Sequence, residues 1–236
     1  MRFKKIVRMF ERGNVSVSGL RGTGKDMLTA NAIARRKKPY ISNVNYGGKC
    51  YPFDFEKIAL NGNIYSDFLA GKLKPYKYPY EDGVDLYLSD AGVYFPAHYC
   101  NELNKQFKTL PTYFALSRHL GLSNCHVNSQ ALGRVWDKIR EQSDQYIVCL
   151  GCKVILGIVF QRVAIFDRYE SAVQVMPRLK LPRPLFESKR ERLARRTAEE
   201  MYRAQHGKIR YAILVYRNKS KYDTRAFKKM LEGVGQ

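Results

Sequence analysis

The sequence predicts an α/β fold in which a mainly parallel central sheet is flanked by helices. Strand-like and helix-like segments alternate over the first half of the chain, which is typical of parallel strands joined by crossover helices. A glycine-rich turn connects a strand-like segment at residues 14–18 to residues 25–36, where apolar side chains recur at helical spacing. Residues 147–175 are rich in β-branched side chains and predict a β-rich segment of two or three strands.

The 236 residues suffice for one α/β domain and a smaller appendage. A proline-bearing linker begins at residue 177 and predicts a division into a main domain, residues 1–176, and a basic C-terminal appendage, residues 177–236. The appendage pattern predicts a helix, a strand and a helix at residues 187–205, 209–216 and 223–231. In the main domain further strands are predicted at residues 39–44, 84–89 and 123–127. Further helices are predicted at residues 99–120, with a break near Pro111, and at residues 132–141.

The glycine-rich turn matches the pattern G-x-x-x-x-G-K at Gly19, Gly24 and Lys25. Glycines let the backbone turn tightly, so that successive N–H groups converge on a phosphate, and the following helix adds its positive end. A lysine here brings a positive charge to the β- and γ-phosphates. The alternative is a strand–helix turn without a ligand. The sequence predicts a P-loop that binds ATP through Gly19, Arg21, Gly22, Thr23, Gly24, Lys25 and Asp26.

Asp26 departs from the usual P-loop. A Ser or Thr normally occupies this position and places its hydroxyl on Mg²⁺. A carboxylate is also a hard oxygen ligand for this ion, so Asp26 is predicted to bind Mg²⁺ directly or through water. Because its negative charge lies near the phosphates, we expect nucleotide affinity to depend unusually strongly on Mg²⁺.

The strand-like residues 84–89 end at Asp90, which has the form of a Walker B strand whose aspartate holds Mg²⁺. The alternative for Asp90 is a turn residue at the strand end. An acidic residue usually follows to polarise the attacking water, but here the next residue is Ala91. Either hydrolysis is in doubt or the base lies elsewhere, and Glu102 is the nearest candidate downstream.

The charge of the chain points to polyanionic partners. It carries 42 Lys and Arg against 21 Asp and Glu, a formal net charge of +21. Such a field attracts nucleic acid first and an anionic membrane surface second. Contacts of this kind go mainly to phosphates, so the prediction is DNA binding without sequence specificity. For the helix predicted at residues 187–205, a solvated surface and a phosphate-contacting surface remain equal alternatives.

The sequence disfavours a signal peptide, a membrane span and a zinc site. The N-terminus lacks the apolar run of a signal peptide. Residues 147–166 are interrupted by charged and polar side chains, which favours two buried strands over a membrane span. Cys149 and Cys152 have the C-x-x-C spacing of zinc ligands but no second pair follows. A site completed by His119, Cys125 or His126 is less favoured than packing of the cysteines in a strand.

Five motifs come in an order that resembles a known family. They are residues 19–26, 88–90 and 94–96, then Ser117-Arg118-His119 and Asn128-Ser129-Gln130. This order resembles the zonula occludens toxin-like P-loop ATPases of phages, which include the filamentous-phage gene I-type assembly proteins and belong with the FtsK–HerA superfamily. The resemblance covers residues 15–168.

The resemblance implies roles for two further residues. Gln130 would be the polar sensor that reaches the γ-phosphate or the water, and Arg118 would be an arginine finger, acting in the next subunit. The alternatives are a turn or cap residue for Gln130 and a solvated base for Arg118. Arg134 and Arg140 are secondary finger candidates. The implied catalytic set is Lys25, Asp90, Gln130 and Arg118, with Asp26 and Asp90 as the Mg²⁺ ligands.

The resemblance also implies a function: hydrolysis of Mg-ATP coupled to DNA translocation, packaging or virion assembly. The implied partners are DNA, further copies of the chain in a ring, and phage structural proteins, in the host cytoplasm, at a membrane periphery or in the virion. Gene I-type proteins carry a membrane span after the ATPase domain, whereas here a basic appendage follows, so no integral membrane segment is expected. A nucleotide-gated assembly or adaptor protein with little turnover, favoured by Ala91, and a small-molecule phosphotransferase are the alternatives.

Overall fold

The structure, a computed structural model, describes residues 3–53, 84–99, 122–169, 172 and 210–219. Their helices are α1 (Phe3–Arg12), α2 (Lys25–Arg36), α3 (Ala91–Tyr94) and α4 (Asp137–Arg140), with 3₁₀ turns at Ala97–Tyr99 and Leu132–Arg134. Their strands are β1 (Val15–Ser18), β2 (Tyr40–Ser42), β3 (Cys50–Pro52), β4 (Val84–Leu88), β5 (Leu122–Ser129), β6 (Gln145–Ile155), β7 (Ile158–Phe166) and β8 (Arg210–Arg217).

The eight strands form one mixed sheet in the order β3-β2-β4-β5-β1-β6-β7-β8. Every neighbouring pair from β3 to β6 is parallel. The last two pairs, β6 with β7 and β7 with β8, are antiparallel. The predicted α/β fold with a mainly parallel sheet is therefore confirmed. Since parallel strands share one carboxyl edge, the segments after β1, β4 and β5 emerge on the same side of the sheet.

The strand predicted at residues 209–216 forms as β8 and pairs with β7 along its whole length. One strand of the predicted appendage thus extends the main sheet. The predicted boundary between residues 176 and 177, the helices at residues 187–205 and 223–231, and nearly all of the helix at residues 99–120 lie outside the described residues. The division into two parts stays a prediction.

The continuous helix predicted at residues 132–141 is wrong. The chain instead forms a 3₁₀ turn and then the short α4, and Val135 between them is extended and bridges Pro96. Val135 and Trp136 are buried in this arrangement, so tertiary packing overrides the local helical pattern. Residues 147–166 form two strands, as predicted, which pair as the β6–β7 hairpin. The predicted burial is wrong for residues 153–155, which are exposed. Within the described ranges no helix is long and apolar enough to cross a membrane.

Helix α1 was not predicted, although its apolar side chains have helical spacing. Phe3, Ile6 and Phe10 form one buried face, while the other residues carry much of the charge. This face packs in one apolar cluster with Leu28 of α2 and Val17 of β1. A second cluster forms around β4 and β5 and includes the buried Trp136. Strand β1 is buried at all four positions, as expected for a central parallel strand.

A buried cluster of polar side chains lies at the end of α2 and the beginning of β4. The Arg36 guanidinium pairs with the Asp85 carboxylate and donates to the Phe10 carbonyl and the Tyr87 hydroxyl, at 3.0 and 3.1 Å. The Tyr87 hydroxyl in turn donates to Asp85 at 3.2 Å. Burial, reinforced by the Arg36 charge, lowers the pKa of the neighbouring His126 well below its usual range. These contacts tie α1, α2 and β4 together.

We expect Asp85→Ala to destabilise the fold by about 3–5 kcal/mol, because it leaves the Arg36 charge buried without its partner. The matched control is Asp167→Ala, which removes an exposed ion pair with Arg210 and should cost about 0–1 kcal/mol. Urea unfolding followed by circular dichroism measures both changes. Equal losses in the two variants would contradict a structural role for the buried pair.

Candidate functional site

The P-loop lies between β1 and α2, at the carboxyl edge of the parallel strands. Gly22 and Gly24 have φ angles of 82° and 85°, in the left-handed region that favours glycine. The Thr23 backbone N–H and side-chain hydroxyl both donate to the Leu20 carbonyl, at 3.1 and 2.7 Å. The loop is therefore a tight turn that leads directly into the first residue of α2, Lys25.

Lys25 is the centre of the site. Its Nζ lies 2.8 Å from Asp26 Oδ2 and 3.3 Å from Asp90 Oδ1, and the residue is only 7% exposed. Burial would lower the pKa of the ammonium, but the two carboxylates together raise it above the ordinary lysine value. The structure thus brings together three predicted site residues from two separate segments, and Lys25 is firmly protonated.

The two carboxylate oxygens of Asp26 differ in their hydrogen bonding. Oδ2 accepts from Lys25, whereas Oδ1 is buried without a hydrogen-bond partner in the described part of the chain. A buried carboxylate oxygen without a donor is costly unless another group compensates it. Oδ1 therefore has the free coordinating capacity that a hard cation requires, and the site fits Mg²⁺ on this observation.

Asp90 follows β4 and adopts the left-handed region with φ 48°. The residue before it is fixed by a reciprocal pair of hydrogen bonds: Asn43 Nδ2 donates to the Ser89 carbonyl at 2.9 Å, and the Ser89 N–H donates to Asn43 Oδ1 at 2.8 Å. Asn43 comes directly after β2, which is parallel to β4. This amide clamp holds the end of β4 and so positions the Asp90 carboxylate; nothing in the sequence pattern marked Asn43.

Strand β5 lies between β1 and β4, and Gln130 follows its last residue, exposed at the same carboxyl edge as the P-loop and Asp90. Two residues earlier, the Asn128 side chain exchanges hydrogen bonds with Thr29 of α2 at 3.0 and 3.2 Å. The helix that follows the P-loop is thereby tied to the strand that presents Gln130.

The arginine candidates are placed unequally. Arg118, together with Glu102 and His119, lies outside the described residues. Arg134 is exposed in the 3₁₀ turn after β5. Arg140 stacks over the Tyr169 ring at 3.7 Å and donates to the Val135 carbonyl, so its guanidinium already has local partners.

Sequence reasoning missed the residue that supports the P-loop from beneath, Gln161 of β7. It is fully buried, and its Nε2 donates to the carbonyls of Gly24 and Thr23, at 2.9 and 3.3 Å. Its Oε1 accepts from the Tyr216 hydroxyl of β8 at 2.6 Å. These hydrogen bonds hold the Thr23 and Gly24 carbonyls toward β7 and so stabilise the conformation of the P-loop. The available signal was a glutamine within the largely apolar run of residues that predicts this strand.

The two cysteines of the C-x-x-C pattern lie in β6, as the strand-packing alternative predicts. Cys149 is buried, and burial raises the pKa of its thiol to about 12. Its sulfur accepts from Gln161 Nε2 at 3.2 Å. Over the ranges that the structure describes, no three His, Cys, Asp or Glu side chains are grouped as a metal site. The cysteines instead form part of the packing behind the P-loop.

No protein-family model and no curated protein matches the sequence. Solved structures do resemble the fold. One is the N-terminal domain of zonular occludens toxin from Neisseria meningitidis, with 12% identity, a TM-score of 0.46, and coverage of 70% of this chain and 89% of that one. Another is the genome-packaging NTPase B204 of Sulfolobus turreted icosahedral virus 2 in complex with ATP-gammaS, with 19% identity, a TM-score of 0.37, and coverage of 59% and 75%.

A third similar structure contains ATPases 2 and 3 of EssC from Geobacillus thermodenitrificans. It has 12% identity and a TM-score of 0.40, and the match covers 96% of this chain and 44% of that one. The zonular occludens toxin domain and the viral packaging NTPase are the kinds of protein that the sequence motifs resemble. For this chain, the P-loop fold rests on its own strand order and on the loop between β1 and α2.

The two left-handed glycines allow a test of loop packing. A Cβ on Gly24 would lie 2.8 Å from Cys152 Cβ, whereas a Cβ on Gly22 meets nothing within 4 Å. Gly22→Ala should therefore cost only the backbone strain, about 1–2 kcal/mol. We expect Gly24→Ala to cost roughly 1–3 kcal/mol more, because the clash adds to the same strain. Urea unfolding without nucleotide measures both, and equal costs would show that β6 does not pack against the loop.

Proposed function

We propose that the chain is a P-loop ATPase that binds Mg-ATP and couples its hydrolysis to DNA translocation, packaging or virion assembly. The observation that carries the proposal is the contact of Lys25 Nζ with both Asp26 and Asp90. The P-loop lysine after β1 and the aspartate after β4 meet at the carboxyl edge of the sheet, although β5 lies between the two strands. This edge is where α/β proteins bind their ligands. A glycine-rich turn without a ligand would need no such convergence.

Each residue of the site has a chemical task in this proposal. The N–H groups of residues 22–25 and the positive end of α2 bind the phosphates. Lys25 would exchange a carboxylate partner for the β- and γ-phosphates, and Asp26 and Asp90 would hold the cation. Mg²⁺, when bound, neutralises charge on the phosphates. Gln130 orients the water or senses the γ-phosphate, and Arg118 of a neighbouring copy stabilises the transferred charge.

The second candidate function is a nucleotide-gated assembly or adaptor protein with little turnover. The observation that favours it is Ala91, which is fully buried and occupies the position after Asp90 where a water-polarising acid usually lies. Under the ATPase proposal the base comes from elsewhere, with Glu102 as the candidate. The two functions differ in turnover and share the binding site.

The proposed partners follow from charge and from the finger mechanism. A net charge of +21 favours DNA contacts through phosphates without sequence preference. A finger that acts in trans requires a homo-oligomer, and a ring is the closed form of such an assembly. Phage structural proteins are the further proposed partners, and the host cytoplasm, a membrane periphery or the virion is the proposed location.

The decisive experiment measures ATP binding and ATP hydrolysis by the full chain, with and without double-stranded DNA. We expect turnover that rises with DNA, and Lys25→Ala should lower it by about 100-fold or more, because the phosphates lose their charged ligand. The control is Lys138→Ala, which removes an exposed lysine of α4. Thermal unfolding confirms that both variants fold.

The outcomes separate the candidates. DNA-stimulated turnover that survives in Lys138→Ala and is lost in Lys25→Ala supports the ATPase. Tight ATP binding without turnover in either condition supports the adaptor. Absence of ATP binding by the folded wild-type chain contradicts both.

Asp26→Ser restores the usual P-loop residue and tests the predicted metal dependence. The carboxylate repels the phosphates when no cation screens it, at a cost of a kcal/mol or more for charges a few ångströms apart. We therefore expect nucleotide affinity without Mg²⁺ to rise by about tenfold in this variant. Asp26→Glu keeps the charge and should keep the metal dependence. Calorimetric titrations with Mg²⁺ and with a chelator measure the ratio, and an unchanged ratio in Asp26→Ser would refute the role.

A further inference from the structure

The far end of the sheet is a three-stranded antiparallel unit, which we call the wing: residues 151–155 of β6, with β7 and β8. Its inner face is buried. Val159 and Val163 of β7 and Leu214 and Tyr216 of β8 belong to the same apolar cluster as α1 and α2. The inward side chains of β8 alternate strictly with outward ones. The wing therefore has a filled inner face and a separate outer face.

The outer face exposes apolar side chains that lie next to one another. On β8, Ile213 and Val215 are 61% and 52% exposed. Phe160 of β7 is directly opposite Val215 in the register, and Ile155 at the end of β6 is also exposed. We call these four residues the outer wing surface. Single exposed apolar residues are ordinary, but a contiguous group of them marks an interaction site.

Strand β8 is the last strand of the sheet among the described residues, and it is eight residues long. Proteins usually protect such an edge with a charged side chain or a proline near its middle, because its backbone groups can pair with another chain. Here the middle of β8 carries alanine, isoleucine, leucine and valine at residues 212–215. The edge is suited to pairing with an added strand.

The charged side chains of the three strands that form the wing are all basic. Arg210 and Arg217 lie at the two ends of β8, Lys153 is opposite Phe160, and Arg162 is opposite Ile213. Neither β6, β7 nor β8 contains an acidic residue. Asp167, just after β7, already pairs with Arg210 at 2.8 Å. A partner that complements this surface therefore combines apolar side chains with acidic ones.

This charge pattern also argues against a second copy as the occupant. Pairing β8 with its own copy would place side by side two strands that each carry two arginines and no acid. Like charges on adjacent strands destabilise pairing, and the excess of basic residues in the whole chain adds to the repulsion.

We propose that β8 and the outer wing surface bind an extended acidic segment of another protein. The segment adds as a strand to the β8 edge, where backbone hydrogen bonds supply affinity. Its apolar side chains contact Ile213 and Val215, and a carboxylate beside them pairs with the exposed Arg217. The site is separate from the P-loop residues and does not depend on nucleotide chemistry.

The test uses a fluorescent ten-residue peptide with Val and Thr in its middle and Glu at both ends, so that apolar and acidic side chains share one face of the added strand. It is used at a concentration where it is monomeric, with the purified full chain. A peptide with Lys in place of Glu is the charge control. We expect the Glu peptide to bind at least about tenfold more tightly, because the surface is basic. Ile213→Thr combined with Val215→Thr keeps strand-forming residues and should weaken binding by about tenfold. Val93→Thr changes an apolar residue on α3 that is 73% exposed, and it should have no effect.

Hydrogen exchange locates the bound peptide: residues 210–217 should become protected. Equal binding of the two peptides, or equal binding by the double variant and the wild type with both folded, would overturn the proposal. Two other results would also overturn it. One is self-association of the chain that the double variant abolishes, which makes a second copy the occupant. The other is protection of β8 by single-stranded DNA but not by the Glu peptide, which makes the outer wing surface a nucleic-acid site.

Discussion

The ion pairs of Lys25 with Asp26 and Asp90 are the contacts on which the site depends. Lys25 is only 7% exposed, so its ammonium is stable only when charge compensates its burial, and here two carboxylates do so. One carboxylate belongs to α2 and the other follows β4. The Lys25–Asp90 contact therefore connects the P-loop helix to β4, which β5 separates from β1 in the sheet. Under the proposed function, the same three groups rearrange when phosphates and a cation bind.

Much of this arrangement could be predicted from local pattern. Helix α2 has the predicted bounds, because its apolar spacing and the preceding glycines are purely local signals. The meeting of Lys25 and Asp90 follows from two motifs and the geometry of a parallel sheet. Local sequence patterns do not predict the structure where packing between distant segments determines the backbone conformation. Val135 is extended because it bridges Pro96, and no local pattern near residue 135 contains that information. The supports of the site, Asn43 and Gln161, are single polar residues whose partners lie 46 and 137 positions away.

The two supporting residues, Asn43 and Gln161, stabilise the site in the same way. Asn43 satisfies both backbone groups of Ser89, and Gln161 satisfies two carbonyls of the P-loop while its own oxygen accepts from Tyr216. In each case a side-chain amide binds backbone groups at the end of a strand or in the loop that precedes a helix. The P-loop and the Asp90 turn are thus irregular segments held by side chains from regular strands, which is how a rigid scaffold positions functional groups on loops.

The hydrogen bonds of Asn31 have a consequence for the order in which the molecule is made. This α2 residue bonds Asn218 and the Lys219 N–H, directly after the last described strand, and Tyr216 completes the Gln161 contact beneath the P-loop. A chain emerging from the ribosome exposes its P-loop helix long before β8 exists, and contacts so distant in sequence form slowly. The nascent protein therefore lacks the Tyr216–Gln161 contact and the bonds of Asn31 until residues 210–219 have been synthesised and have docked.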